Sequence, residues 1–214
     1  MFKDYTLEEF VNKLASSEPT PGGGSVAAFT GALSAALNQM VYSLTTGKKK
    51  FQELEDLEKK TVTDSVFRTK NHIKDFFEAM EEDKRAFELL MNSYKLPKDS
   101  EEEKNYRKNK IKQNTIGATE APLSLARASL KLYNEIEIAA KYGNKGAISD
   151  AGVAAILLHA AVESASINVK INLAYIEDEE YRNSVAREIN YIQVESAYKK
   201  DNLLRTINNI IEGK

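Results

Sequence analysis

The stretch PTPGGGSVAAFTGALSAALNQMVYSLTT, residues Pro19 to Thr46, decides the fold. Two prolines fix the backbone on the way in, and Gly22, Gly23 and Gly24 remove every side chain where the chain turns. Ser25 is the expected N-cap of the helix that begins there. From Val26 to Leu44 the residues are mostly small or apolar, on nearly every face of a helix. A helix apolar all round is buried all round, so this stretch predicts a helix over 25–46 at the centre of a helical packing. Ala27, Ala28, Gly31, Ala32, Ser34, Ala35 and Ala36 would let neighbouring helices come close. The glycine run lacks the GxGxxG and GxxxxGK[ST] spacings of nucleotide loops, so by itself it reads as a packing turn.

Outward from that helix, Gly and Pro fall almost entirely at punctuation points: Pro19 to Gly24, Gly47, Pro97, and Gly143 with Gly146. No stretch alternates with period two, and apolar positions recur at spacings of three and four. The expected architecture is all-α: one multihelical bundle spanning 1–214, with a short helix from Leu7 to Ala15. Long helices are expected at 25–46, 52–95, 101–141, 150–176 and 178–212, with Pro122 kinking the 101–141 helix.

Composition narrows the function classes. With 214 residues and no cysteine, the chain has no disulfide scaffold, thiolate nucleophile or Cys-based zinc site, which suits a reducing cytoplasm. A net charge of -2 gives no electrostatic case for nucleic acid. Met1-Phe2-Lys3-Asp4-Tyr5 is not followed by the apolar core of a signal peptide. The helix from Val26 reaches the ~20 residues of a membrane span, but Thr30, Ser34, Asn38 and Gln39 within it argue for a soluble, cytoplasmic chain away from any membrane.

The 52–95 helix carries a long seam. Val62, Val66, Thr69, Ile73, Phe76, Met80, Asp83, Phe87, Leu90 and Tyr94 alternate steps of four and three. Asp83 is the one ionisable group in it. A carboxylate there is expensive unless paired or put to use, so Asp83 is either half of a buried ion pair or a functional acid. After Gly143-Asn144-Lys145-Gly146, Ser149 or Asp150 is the expected N-cap of the next helix. One face of that helix carries Ala154, Leu157, Ala161, Ala165, Asn168 and Asn172; the adjoining face carries Val153, Ile156, Ala160, Ile167 and Ile171. The amide pair Asn168 and Asn172 could read a heteroaromatic ligand or cross-link two helices. His159 points away from it and His72 lies off the Asp83 seam, so no histidine-based metal site is expected.

The blocks Ser17-x-Pro19-Thr20-Pro21-Gly22-Gly23-Gly24-Ser25-Val26-Ala27-Ala28, Gly47-Lys48-Lys49-Lys50, Asp83-x-x-Ala86-Phe87, Lys95-Leu96-Pro97-Lys98, Ala121-Pro122-Leu123, Gly143-Asn144 with Ser149-Asp150, and Asn168-Val169-x-Ile171-Asn172-Leu173 stand in order along the chain. Together they resemble the cyclodeaminase/cyclohydrolase family of folate enzymes. The resemblance implies an all-helical homodimer acting on a one-carbon tetrahydrofolate. Members are free-standing at this length or form the C-terminal part of bifunctional formiminotransferase-cyclodeaminases; the free-standing form is expected here. The block before Pro122, Ala118-Thr119-Glu120, is more polar than is usual in the family.

The resemblance implies one of two reactions. Cyclodeamination converts 5-formiminotetrahydrofolate to the 5,10-methenyl cation with loss of ammonia; cyclohydrolysis opens that cation with water to 10-formyltetrahydrofolate. Both pass through a tetrahedral carbon between N5 and N10, and both suit a carboxylate in an apolar pocket. The implied catalytic residues are Asp83 and Asp150. The implied binding set is Pro21, Gly22, Gly23, Gly24, Ser25, Asn144, Ser149, Asn168 and Asn172, with Lys49 and Lys50 for a folate glutamate tail or, more simply, as a cationic cap on the first buried helix. No metal and no cofactor beyond the tetrahydrofolate substrate is expected. A non-catalytic helical scaffold is the alternative of another class. The two most apolar helices call for a partner layer, hence a homodimer.

Overall fold

The computed structural model describes residues 1–213. Its helices are α1 (Leu7–Leu14), α2 (Gly23–Ser43), α3 (Lys49–Gln52), α4 (Asp56–Tyr94), α5 (Glu101–Tyr142), α6 (Ile148–Leu173) and α7 (Glu179–Ile211), with short 3-10 turns at Phe2–Asp4 and Lys145–Ala147. Among the described residues there is no strand. The five long helices and the short first one fall where the periodicity puts them. The short helix α3, detached from the start of α4, is additional.

Local chemistry sets the boundaries. Thr6 with Glu9 and Ser100 with Glu103 form capping boxes that start α1 and α5, and Asp178 caps α7 by accepting from the Tyr181 amide at 3.0 Å. Two capping expectations are corrected. Helix α2 begins at Gly23 with Gly22 as its N-cap, so Ser25 lies inside the first turn, fully buried. Helix α6 begins at Ile148 after the 3-10 turn, with Ala147 at the cap, which leaves Ser149 and Asp150 in its first turn. In both cases the glycine-bearing turn is tight enough for the helix to start two residues early. Lys49 and Lys50 do not cap α2 either: Gly47 at φ 77° breaks the chain after it, and both lysines belong to α3.

The core is built around α2, which packs against α4, α5 and α6. Its small residues allow this. A side chain on Gly31 would come within 2.9 Å of the Phe76 ring of α4, and Ser34 Oγ donates across to the Ala154 carbonyl of α6 at 2.7 Å. Helices α2 and α6 run antiparallel, Gly23 lying beside Asn168 and Leu44 beside Asn144. An ion pair with a buried carboxylate and an exposed guanidinium ties α4 to α5: Arg68 donates twice to Glu135, at 2.8 and 3.0 Å, and Ser65 donates to the same carboxylate.

Burial of α2 on every face is corrected in one respect. Leu33, Met40 and Leu44 of α2 remain 41–43% exposed, and Val153, Ile156, Ile167 and Ile171 of α6 remain 46–66% exposed. These residues form one outward apolar face along the two helices. The segment Lys145–Leu173 is long and apolar enough to cross a membrane by length and composition, yet it packs among α2, α5 and α7.

Candidate active site

The first turn of α2 meets the middle of α4 at Asp83. Ser25 Oγ donates to Asp83 Oδ2 at 3.0 Å. The approach requires that residue 24 be glycine: a Cβ there would lie 2.0 Å from Asp83 Oδ1 and 2.5 Å from its Cγ. Burial pushes the Asp83 carboxyl above its ordinary range; hydrogen bonds from the side chain and backbone of Ser25 oppose this without cancelling it. No cation contributes to that shift. The ion pair that α4 makes with α5 lies elsewhere, between the exposed Arg68 and the buried Glu135.

Beside Asp83 lies a cavity of about 450 Å³, walled by Phe87 and Met91 of α4, Thr115 of α5, and Asn168, Asn172 and Tyr175 at the end of α6. Asn168 gives its Nδ2 hydrogen to the Ser164 carbonyl one turn back, at 2.8 Å. Its Oδ1 stands 3.5 Å from the position of a Cβ on Gly23 and is left as an acceptor.

Asn172 has a second employment. Its Nδ2 donates to the Ala118 carbonyl of α5 at 2.7 Å. Ala118 is four residues before Pro122, which has no N–H to return the helical bond. The amide of α6 therefore satisfies the carbonyl that Pro122 leaves open, and α5 runs unbroken from Glu101 to Tyr142. Pro122 thus lies inside one continuous helix.

The remaining sequence-derived residues separate into two places. Gly22, Gly23, Gly24, Ser25, Asp83, Asn168 and Asn172 gather at the N-terminal end of α2. Pro21 is buried just before the turn, and neither it nor Gly22, Gly23, Gly24 or Ser25 lines the cavity, whose polar walls are Asp83, Asn168 and Asn172 with Thr115 and the tyrosines. Asn144, Ser149, Asp150, Lys49 and Lys50 lie at the other end of α2. There the Asn144 amide donates to Thr45 Oγ1 at 2.8 Å, and its side chain bridges Leu44 O and the Gly146 amide. Helix α2 has 21 residues, so at 1.5 Å per residue the two groups stand about 30 Å apart within one chain. Lys49 is 91% exposed and pairs with Glu53 at 3.8 Å. His159 hydrogen-bonds Ser196 at 3.0 Å, and His72 stacks on Phe76; neither reaches the cavity.

Met91, Thr115 and Tyr175 are cavity residues that sequence reasoning missed. Tyr175 carried a signal, continuing the Asn168–Asn172 line by three residues. Met91 sits one position off the α4 seam, and Thr115 lies in a polar stretch with no periodic mark.

Residues 6–191 match the formiminotransferase-cyclodeaminase family. The chain belongs to this family. It is 36% identical over 204 residues to the methenyltetrahydrofolate cyclohydrolase of Methylorubrum extorquens, covering 94% of this chain and 95% of that protein. It is also 36% identical over 188 residues to the formimidoyltransferase-cyclodeaminase of Gallus gallus, covering 85% of this chain and 33% of the relative; it thus spans about a third of that longer protein. The crystal structure of formiminotetrahydrofolate cyclodeaminase from Thermotoga maritima superposes with a TM-score of 0.84 at 28% identity, covering 99% of this chain and 100% of the other. The all-α fold and the family resemblance read from the sequence are both borne out.

Proposed function

We propose that this family member is a one-carbon folate enzyme that converts 5-formiminotetrahydrofolate to 5,10-methenyltetrahydrofolate with release of ammonia, Asp83 being the proton-transferring group. The observation that carries the reading is a half-buried carboxyl without a cation, held by Ser25 against the start of α2 and facing a cavity of about 450 Å³. In the reaction N10 attacks the formimino carbon, and a tetrahedral carbon bearing N5, N10 and an amino group forms. The departing nitrogen gains two protons, one from N10 and one from acid. The C–N bond then breaks, ammonia leaves, and the N5–C–N10 cation remains. A carboxyl whose proton is held more tightly because of burial can donate it to the leaving nitrogen. Once ionised, it faces the new cation at short range in an apolar site, where it stabilises charge most. Asn168 Oδ1 is placed to accept from the pterin ring. These steps exchange one C–N bond for another and transfer protons with no change of oxidation state, so they call for no redox cofactor, and we assign no metal.

Hydrolysis of 5,10-methenyltetrahydrofolate is the second reading. It is favoured by the match along almost its whole length to a protein named for that activity. The same carboxyl would then deprotonate water attacking the bridge carbon.

The protein is proposed to act in the cytoplasm as a homodimer through the apolar face of α2 and α6, burying well above ~1,200 Å². Two-fold pairing of antiparallel helices about an axis normal to them sets opposite ends side by side. Asp150, Ser149, Asn144, Lys49 and Lys50 of one protomer would then lie near the Asp83 cavity of the other, completing it.

Asp83→Asn tests the assignment. It keeps the shape, and its Oδ1 still accepts from Ser25, but the titrating proton is gone. Turnover of 5-formimino- or 5,10-methenyl-tetrahydrofolate, followed by methenyl absorbance, should fall on the order of 10²–10⁴-fold. The melting temperature should hold or rise, because a neutral amide is cheaper to bury than a carboxylate. Normal turnover by this variant would sink the role of Asp83; no turnover of either compound by the wild-type protein would sink the folate reading.

A further inference from the structure

Helix α7 carries two seams. On the inner one Val185, Ile189 and Ile192 are buried, where α7 packs on α5 and α6. On the opposite face Arg187, Tyr191, Val194, Tyr198, Asp201 and Arg205 follow steps of four, three, four, three and four. That is the spacing of a heptad seam, which calls for a second helix. All six residues are exposed, Tyr191 by 62% and Val194 and Tyr198 by 63% each. Apolar side chains scattered singly over a surface are ordinary; a regular row of them with charges at its two ends is not.

The order of the charges selects the occupant. The middle of the seam, at Tyr191, Val194 and Tyr198, is uncharged, with a cation four residues before it and an anion three residues after it. A second α7 running parallel would set Arg187 against Arg187 and Asp201 against Asp201. Running antiparallel, about a two-fold axis at Val194, it sets Tyr191 on the partner's Tyr198 and Arg187 on the partner's Asp201, each contact made twice. Arg205 then faces the partner's uncharged Asn183 and Ser184, so no like charges oppose along the seam. Asp201 also meets its chain neighbour Lys200, at 3.0 Å; the guanidinium fork of Arg187 can take both carboxylate oxygens, which an ammonium cannot. We infer that the outer face of α7 is a second self-association surface, on which another copy of this chain seats its own α7 antiparallel. It is separate from the outward face of α2 and α6 and takes no part in the chemistry at Asp83. From Arg187 to Arg205 the contact runs about 27 Å at 1.5 Å per residue. A single helix pair of that length lies at the low end of specific interfaces, so the association should be reversible and concentration-dependent.

Sedimentation equilibrium of the full chain, from low- to high-micromolar concentration, tests this. The weight-average mass of wild type should rise reversibly with concentration. Arg187→Asp turns both end contacts repulsive and should weaken the association about tenfold or more. Asp201→Arg should weaken it equally, although it adds two positive charges to a net of -2, a change toward neutrality that would tighten any non-specific association. Both substitutions in one chain exchange the ends of the seam and should restore the wild-type behaviour. The chain has no cysteine, so Val194→Cys, placed at the axis, gives an independent reading. It should form an interchain disulfide under mild oxidation faster than Phe67→Cys, a comparably exposed position (66%) on α4. Every substituted residue is exposed, so none of these readings depends on lost packing. A wild-type mass that stays flat with concentration, single variants that associate as wild type does, a double exchange that fails to restore association, or equal crosslinking at the two cysteine positions each overturns the inference.

Discussion

Gly24→Ala probes the contact on which the proposed site depends. The added Cβ would meet Asp83 Oδ1 at 2.0 Å, Cγ at 2.5 Å and Oδ2 at 2.8 Å. Ordinary contact begins near 3.4 Å, so either the carboxylate or the helix pair must give by roughly 1.4 Å, the difference between 3.4 and 2.0 Å. The carboxylate is the end of a short side chain and can rotate away, losing Ser25, at an overpacking cost of about 1–3 kcal/mol. Replacing glycine by alanine in a helix returns roughly 0.5–1 kcal/mol. Net destabilisation should therefore be about 0–2.5 kcal/mol, measurable by urea titration. The displacement matters far more for chemistry, since a misplacement of about 1 Å costs on the order of 10²-fold in rate. Gly23→Ala is the matched comparison: its Cβ meets only the Asn168 carboxamide, at an ordinary 3.5 Å. Methenyl absorbance assays should show Gly24→Ala slower than Gly23→Ala by at least about tenfold. Equal rates for the two variants would refute the reasoning, because only one of them disturbs Asp83.

Asn172→Leu should cost about 1–3 kcal/mol by leaving the Ala118 carbonyl unsatisfied; adding Pro122→Ala restores an N–H to it and should recover part of that loss, which a double-mutant cycle of urea midpoints will read as coupling. Because burial raises the Asp83 carboxyl above 3.8, the folded state binds its proton more tightly than the unfolded state. Its contribution to stability is then fully present at low pH and is lost as pH rises from 3.8 through the raised value, so the wild-type melting temperature should decline over that window relative to Asp83→Asn. If the dimer completes the site, mixing inactive Asp83→Asn with inactive Asp150→Asn should regain activity as subunits exchange; no recovery in samples shown by sedimentation to be mixed dimers would remove Asp150 from the site.

The fold was legible because helical periodicity is a property of the chain itself. The α4 seam from Val62 to Leu90 reads directly as a row of buried and half-buried residues. Helix starts were less legible at Ser25 and Ser149, since a strong capping residue two positions into a helix looks the same in sequence as one at its cap. How α5 accommodates Pro122 was not legible for a long-range reason: the missing hydrogen bond is replaced from Asn172, 50 positions later in the sequence. The cluster of Gly24, Ser25, Asp83 and Asn168 was legible residue by residue, yet its closeness was not. Nothing local in the sequence tells that residue 24 must lack a Cβ because of residue 83. The separation of Asp150 and Asn144 from Asp83 by the length of α2 was equally hidden, because both ends of an antiparallel pair carry similar small and polar residues.

Two opposing influences meet on Asp83, and the balance between them is what a proton-transferring carboxyl requires. Burial favours the neutral acid, which alone would make a strong base and a reluctant donor. The Ser25 hydroxyl and the unsatisfied amides at the start of α2 favour the anion. Both influences arise from one packing event, the seating of α4 on a helix start stripped of side chains. Moving the seam outward would solvate the carboxylate and lower its pKa toward the ordinary value. Giving residue 24 a side chain would remove the Ser25 contact and leave burial unopposed. The glycine run is thus neither only a turn nor only a ligand cradle. It sets how close two helices come, and through that distance it sets the acidity of the group proposed to carry the reaction.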